Sequence, residues 1–193
     1  MSNDVQDESH TIGRWLVERA AHTPHRVAID DRGVTITYGE LADRARELAE
    51  SLAGAGFGPG TRIATLAGNS IDHVVLFFGC ALVGVAFVPL SWRQSTRELV
   101  DTLGRSEPQL LVVDDEFAAS AADAIRELAE PPLVAALGTA GIERAVPPAR
   151  DPRPARAVRD DDPLLIVFTS GSEAAPKGVI LTHANCFWNN LAL

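Results

Sequence analysis

A stretch of small, hydroxyl-bearing residues with one lysine lies between two short apolar runs near the end of the sequence. It reads Thr-Ser-Gly-Ser-Glu-Ala-Ala-Pro-Lys-Gly-Val from Thr169 to Val179. The run before it, Leu164–Phe168, predicts a buried strand, and the run Val179–Leu181 predicts a second strand that returns beside the first. Such a loop can present backbone N–H groups, hydroxyls and an ammonium to a single guest, and a polyphosphate suits these donors.

Different residues of this loop could make different contacts with a polyphosphate. The candidate binding residues are Thr169, Ser170, Gly171, Ser172, Lys177 and Gly178. The two glycines permit close approach of the backbone, and the hydroxyls can donate to phosphate oxygens. Either Thr169 or Ser172 could also hold a magnesium ion. Lys177 is the candidate catalytic residue, because its compact charge can stabilise the charge that develops on a leaving pyrophosphate.

This loop differs from the common P-loop. The P-loop has four residues between its first glycine and a Gly-Lys-Ser/Thr at the mouth of a helix. Here five residues separate Gly171 from Lys177, and Gly178 follows the lysine where a hydroxyl residue should stand. By composition alone, the stretch is equally typical of a flexible surface hairpin with one exposed lysine.

Composition and charge exclude several classes of protein. Of the 193 residues, 46% are hydrophobic and 22% charged, as in an ordinary globular protein with a core. The net charge of −9 argues against general nucleic-acid binding and against adhesion to an anionic membrane. No apolar run approaches the roughly 20 residues that span a bilayer, and the polar, acidic residues 1–10 do not form a signal peptide.

The two cysteines, Cys80 and Cys186, both lie in apolar helical contexts. Buried, reduced thiols are the simplest interpretation, because no cluster of cysteine and histidine has the spacing of a zinc site. We therefore expect a cytoplasmic protein.

Strands and helices alternate along the chain. Helices are predicted to begin near Thr11, Tyr38, Asn69 or Ser70, Ser95, Glu116 and His183, and strands over residues 27–29, 34–38, 62–66, 86–90, 109–113 and 133–137. The helix from Glu116 is expected to extend to Glu130. Repeated strand–helix alternation with continuously apolar strands predicts an α/β fold, a mainly parallel sheet with helices on both faces.

The same pattern divides the chain into four segments. Residues 1–10 are expected to be disordered, residues 11–137 to form an α/β subdomain, and residues 138–163, rich in proline, to form a long exposed connection. Residues 164–193 hold the loop strands and a last helix, and are expected to begin the next subdomain.

The order Thr-Ser-Gly-Ser, a short gap, and then Pro-Lys-Gly-Val-Ile-Leu-Thr-His-Ala-Asn, from Thr169 to Asn185, closely resembles the phosphate-binding signature of the acyl-adenylate-forming (AMP-binding) enzymes. That superfamily includes acyl-CoA synthetases and the adenylation domains of nonribosomal peptide synthetases. Glu173 and Ala174 depart from it, since the family more often has Thr and Gly there. A negative charge at Glu173 opposes anion binding unless it points away or meets a cation.

Other segments resemble the same family. Residues 36–41 are similar to its early Tyr-x-Glu-Leu helix start, and residues 81–90 to its second core block. Ser91-Trp92-Arg93 is closer to the form found in acyl-CoA synthetases, although a packed surface pair of Trp92 and Arg93 is our preferred interpretation. For His183 we favour a structural role at a helix start over general-base chemistry, with Thr182 as the N-cap.

The resemblance implies an ATP-dependent, magnesium-assisted ligase that joins a carboxylic acid to AMP and then passes the acyl group to CoA. In that family the adenine, ribose and most of the acyl sites lie beyond the phosphate loop, so we expect this chain to be an N-terminal portion that is inactive alone. The alternatives are a non-catalytic half-domain that binds phosphate ligands or a partner chain, and an adenylation domain that loads a carrier protein. Uncovered apolar surface at the end of the sheet would favour self-association or packing against a missing C-terminal part.

Overall fold

The computed structural model describes residues 10–137, 146–169 and 177–191. The expected disorder of the first residues therefore lies outside the described residues, apart from residue 10. So do Ser170, Gly171 and Ser172 of the candidate site, and residues 138–145 of the proline-rich segment.

Six α-helices and eight strands are formed by the described residues. The helices are α1 (Ile12–His22), α2 (Tyr38–Gly54), α3 (Ile71–Val83), α4 (Thr96–Ser106), α5 (Ala118–Arg126) and α6 (His183–Leu191). The strands are β1 (Val27–Asp31), β2 (Val34–Thr37), β3 (Arg62–Leu66), β4 (Ala86–Pro89), β5 (Leu110–Val113), β6 (Leu133–Ala136), β7 (Pro163–Thr169) and β8 (Lys177–Thr182).

The main sheet has six strands in the order β6-β5-β3-β4-β7-β8. The first five run parallel, and only β8 is antiparallel to its neighbour, β7. Strands β1 and β2 form a separate antiparallel hairpin. The predicted α/β architecture with a mainly parallel sheet is confirmed. The division into subdomains stays a prediction, although segments 11–137 and 164–193 both contribute strands to this one sheet.

Two helical layers cover the sheet. On one face, a cluster that includes Leu16 of α1, Leu48 of α2 and Leu76 of α3 packs against Ile63 and Leu110 of the strands. The other face carries a separate cluster, in which Leu99 and Leu103 of α4 meet Leu111 of β5. The largely apolar composition of the interior strands β3, β4 and β5 therefore follows from burial on both sides.

Side-chain caps begin several of the helices, and the sequence predicts Ser95 and Ser70 among them. Thr37 and Glu40 form a complete capping box at α2, and Ser95 and Glu98 form another at α4. Of the two candidates for the N-cap of α3, the structure selects Ser70, whose hydroxyl accepts from the N–H of His73 at 3.1 Å.

The helix predicted from Glu116 to Glu130 is wrong at its end. A 3-10 turn over Asp115–Phe117 leads into α5, which stops at Arg126. Pro131 and Pro132 follow shortly, and residues before proline are pushed away from helical geometry.

Part of the proline-rich connection is held against the domain. The N–H of Ala149 donates to the carbonyl of Ala55 at 2.8 Å, and the N–H of Arg153 donates to that of Gly56 at 2.9 Å. A Cβ at Gly56, where φ is +91°, would lie 2.8 Å from Pro152, so glycine allows this close approach. Residues 151–157, which include the second of these contacts, are exposed.

Candidate phosphate-binding site

The two strands that bracket the candidate loop form an antiparallel pair. Thr169, the last residue of β7, stands opposite Lys177, the first residue of β8, and Phe168 stands opposite Gly178. The predicted strand–loop–strand order is therefore present, and it brings Thr169 and Lys177 together at the mouth of the loop. Ser170, Gly171 and Ser172 lie between them, outside the described residues.

The loop mouth lies at the carboxyl edge of the parallel strands. Strand β7 runs parallel to β4, with Leu165 beside Phe87, so Thr169 lies at the end where the parallel strands finish. Open α/β sheets bind their ligands in crevices at this edge. The side chains of Thr169 and Lys177 are both exposed there.

Lys177 is the only lysine of the chain; the other sixteen Lys and Arg residues are arginines. Its side chain lines a cavity of about 510 Å³ together with Arg62 and Arg105. Both arginines are neutralised by carboxylates, Arg62 by Glu107 at 3.4 Å and Arg105 by Asp101 at 2.9 Å. Within the described part of the chain, Lys177 has no ion-pair partner, so it is a cation available to an incoming anion.

Gly178 leaves room for an aromatic ring beside the lysine. A Cβ at this position would lie 3.3 Å from the ring of Phe168, the residue opposite in the strand pair. The glycine therefore allows close packing across the hairpin.

The far end of the hairpin is attached to helix α6. The hydroxyl of Thr182 accepts from the N–H of Asn185 at 3.2 Å, and the amide oxygen of Asn185 accepts from the N–H of Thr182 at 3.1 Å. This reciprocal pair confirms Thr182 as the residue that caps α6.

His183 is completely buried, as expected for a structural histidine. Its Nδ1 accepts from the N–H of Ile12 at 3.2 Å, and it thus satisfies a donor that helix α1 leaves free at its first turn. Burial lowers the pKa of His183 to about 4, against the opposing effect of Asp162 and Asp160. The ring is therefore neutral at pH 7, and it links α6 to α1.

An ion pair between Asp162 and Arg156 stabilises the end of the proline-rich connection, next to His183. Both carboxylate oxygens of Asp162 accept from Arg156, at 2.6 and 2.8 Å, and one also accepts from the N–H of Arg159 at 2.9 Å. The hydrogen bonds from Arg156 and Arg159 keep the pKa of Asp162 below its usual value. The carbonyl of Asp162 in turn accepts from the N–H of His183. Strand β8 is therefore fixed at its far end, while its near end carries the loop.

The structure also places the residues for which we expect no chemistry. Trp92 and Arg93 form a packed surface pair, with the guanidinium carbon 4.2 Å from the ring centroid, and Trp92 stacks on Phe117. Cys80 is buried, and burial raises the pKa of its thiol, whereas Cys186 is partly exposed.

No group of three or more His, Cys, Asp or Glu residues among the described positions could hold a metal ion. Over the same positions, no helix has the length and apolar character needed to cross a bilayer.

Comparison with known proteins identifies relatives of this arrangement. The family described as AMP-binding enzyme matches residues 16–193. A feruloyl-CoA synthase of an Amycolatopsis species is 36% identical over 182 residues, which cover 92% of this chain and 34% of the relative. A fatty acid–[acyl-carrier-protein] ligase, ScoC of Streptomyces coeruleorubidus, is 34% identical, with 87% of this chain and 32% of the relative covered.

A solved structure, that of a Mycobacterium tuberculosis fatty acyl CoA synthetase, superposes with a TM-score of 0.73 and 31% identity. The match covers 90% of this chain and 35% of that one. This chain thus spans about a third of the length of these three relatives.

Proposed function

This chain belongs to the AMP-binding enzyme family, and we propose that it is the N-terminal portion of an ATP-dependent ligase that activates a carboxylic acid. The observation that carries the proposal is the β7–β8 hairpin, which sets Thr169 opposite Lys177 at the carboxyl edge of the sheet. An exposed lysine without an acidic partner in the described chain suits a polyphosphate on a protein of net charge −9.

In the proposed reaction, a carboxylate oxygen attacks the α-phosphorus of ATP, and the bond from that phosphorus to the pyrophosphate oxygen breaks. The products are an acyl adenylate and pyrophosphate. The thiol of CoA then attacks the acyl carbon and releases AMP. Phosphoryl chemistry of this kind depends on positioning and on charge stabilisation, so the chain's part is to hold the phosphates with Thr169, Ser170, Gly171, Ser172 and Gly178. Lys177 would stabilise the charge of the departing pyrophosphate.

The residues at the loop mouth fit a magnesium ion that arrives with ATP. Magnesium prefers oxygen ligands and keeps several waters, so phosphate oxygens and the hydroxyl of Thr169 or Ser172 would suffice in this part of the enzyme. The exposed position of Thr169 beside Lys177 agrees with this. When bound, the ion neutralises phosphate charge.

The relatives differ in the acid and in the acceptor that their names give. The relatives include a feruloyl-CoA synthase and a fatty acid–[acyl-carrier-protein] ligase. We favour CoA as acceptor because Ser91-Trp92-Arg93 is closer to the acyl-CoA synthetase form than to that of amino-acid-activating domains, and we place the enzyme in fatty acid metabolism. A carrier protein is the second candidate, favoured by the similarity to ScoC. A cytoplasmic location stays a prediction, supported by two unpaired cysteines.

We also propose that β8, the outer strand of the hairpin, is covered by protein in the complete enzyme. Val179 and Ile180 of β8 are 44% and 57% exposed, and Trp188 of α6 is 55% exposed. Val179 and Ile180 point to opposite faces of the outer strand, and exposed apolar side chains on both faces are typical of a covered surface, here a further part of the enzyme or a second copy. The described chain alone should not turn over ATP and a carboxylic acid, and catalytic turnover by the purified 193 residues would contradict that expectation.

The test is the exchange of labelled pyrophosphate into ATP, measured on the longest product that the gene encodes. Lys177→Ala should lower the exchange rate by about 100- to 1,000-fold, the loss expected for one transition-state contact. Lys177→Arg is the matched control, because it keeps the charge and should retain more activity. Unchanged exchange in Lys177→Ala, with normal folding, would refute the role of the loop.

A further inference from the structure

Strand β6 is the edge of the sheet opposite to the candidate site. Among the described residues it pairs only with β5. From Leu133 to Leu137 it reads Leu-Val-Ala-Ala-Leu, without a charge or a proline. Natural edge strands usually carry a charged residue or a proline, because an open edge can pair with another chain.

The backbone of β6 offers a regular set of free groups. At the two ends of this strand the N–H groups of Leu133 and of the next residue, Leu137, face β5, and they donate to the carbonyls of Gln109 at 3.0 Å and Val113 at 2.7 Å. Since N–H and C=O groups alternate in direction along a strand, those of Val134 and Ala136 point away from the sheet.

An apolar groove of about 410 Å³ runs beside this edge. It lies between α5 and β6 and is lined mainly by small or apolar side chains, among them Ala118, Ala122, Ile125, Val134 and Ala136. Val134 is 52% exposed. Alanines on the open side of α5 would let another helix approach closely.

The two ends of the groove carry opposite charges. Asp115 follows β5 and lies at the carboxyl edge of the sheet, whereas Arg126 ends α5, which returns toward the amino edge. A twofold axis at Ala135 would exchange these ends, so Asp115 of each copy would approach Arg126 of the other. Arg126 already pairs with Asp123 of its own helix, and Asp115 is exposed.

We propose that β6 and α5 form an interface with a second copy of this chain. The two β6 strands pair antiparallel about Ala135, so that Val134 of each copy exchanges both backbone hydrogen bonds with Ala136 of the other. The two α5 helices lie side by side on the same face of a continuous sheet of twelve strands. The near-palindromic strand and the exchanged charges favour a second copy over an unrelated peptide. This interface is independent of the proposed ligase activity and lies away from Lys177.

The experiment is sedimentation velocity over a dilution series of the protein, in the length that its cell produces. Val134→Lys should raise the dissociation constant of the dimer by more than about tenfold, because it places two like charges in the pairing edge. Val34→Lys is the matched control, because Val34 is a 64% exposed valine on another strand, and it should leave the constant unchanged.

A charge exchange separates a twofold dimer from other association. Asp115→Arg and Arg126→Asp should each weaken the dimer, and the double variant should recover to within about threefold of the parent. A monomeric parent, a dimer insensitive to Val134→Lys, or a double variant no tighter than the singles would each overturn the proposal. An association that persists in Val134→Lys would point instead to the surface of β8.

Discussion

The apolar residues 110–113 of β5 and 179–181 of β8 have opposite surroundings. All four residues of β5 are at most 5% exposed, whereas Val179 and Ile180 of β8 are 44% and 57% exposed. Strand β5 lies between β3 and β6, with helices on both faces, and among the described strands β8 pairs with β7 alone. Position in the sheet, rather than local composition, therefore decides how much of an apolar strand is buried.

The difference in burial between β5 and β8 agrees with their different roles in the fold. The interior strands supply the core that fixes the carboxyl edge of the sheet. The β7–β8 hairpin, held at its far end by Thr182 and His183, extends from that core and carries the loop. Substitutions in the buried strand β5 should therefore lower the free energy of unfolding, whereas substitutions near the loop should weaken phosphate binding.

The largest effect on stability should come from the interior. Leu111→Ala, at a fully buried position of β5, should lower the free energy of unfolding by about 2–5 kcal/mol, because it removes apolar contacts and leaves a cavity. Urea denaturation measures this, with the m-value as a check on two-state behaviour. A cost below about 1 kcal/mol would mean that the interior of the sheet is far looser than the structure shows.

The anchor of the hairpin should make stability depend on pH. The pKa of His183 is lowered to about 4, so between the ordinary value of 6.5 and pH 4 the unfolded chain binds a proton that the folded chain rejects. The free energy of unfolding should therefore fall by about 3 kcal/mol as pH decreases across that window. His183→Gln should remove this contribution, and the exposed His22→Gln should retain it. Equal pH profiles for both variants would exclude His183 as the source.

A smaller loss is expected where α4 covers β5. Ser95→Ala removes the hydroxyl that accepts from the N–H of Glu98, and it should cost about 1 kcal/mol of unfolding free energy. Ser91, whose hydroxyl lies outside the helix, provides the comparison, and its replacement by alanine should cost less. Thermal unfolding of the two variants side by side would decide this.

The smallest effect should come from the outer strand. Ile180→Ala, at the 57% exposed position of β8, should change the stability of the 193-residue chain by less than about 0.5 kcal/mol. The same substitution should cost more in a longer product or an assembly that covers β8. Equal, small costs in both would show that this surface stays open.

Much of the fold could be predicted because it depends on local signals. Apolar periodicity located the helices and strands, and the hydroxyl residues Thr11, Ser95 and Thr182 marked three of the helix starts. The strand–loop–strand order at Lys177 could also be predicted, because two apolar runs flank a stretch of small residues. The end of α5 was misplaced, because apolar spacing continued to Leu128 after the helix had stopped.

The remaining features depend on contacts between distant residues. The hydrogen bond from Ile12 to His183 joins positions 171 residues apart, and no local pattern marks it. The sequence suggested that Leu164–Phe168 would be a buried strand, but only Leu164 is fully buried, because β7 lies near the edge. The ion pair of Asp162 and Arg156 could not be predicted, because the connection contains many other charged residues that could have paired.

The central claim, that the loop mouth holds the phosphates of ATP, can be tested through Lys177, the one lysine of these 193 residues. Amine-directed labelling followed by peptide mapping reports the reactivity of Lys177, and the α-amino group of the chain serves as an internal control. In the longest product of the gene, ATP with magnesium should slow the labelling of Lys177 by more than about tenfold and leave the α-amino group unaffected. An equal rate of Lys177 labelling with and without saturating ATP would contradict the account.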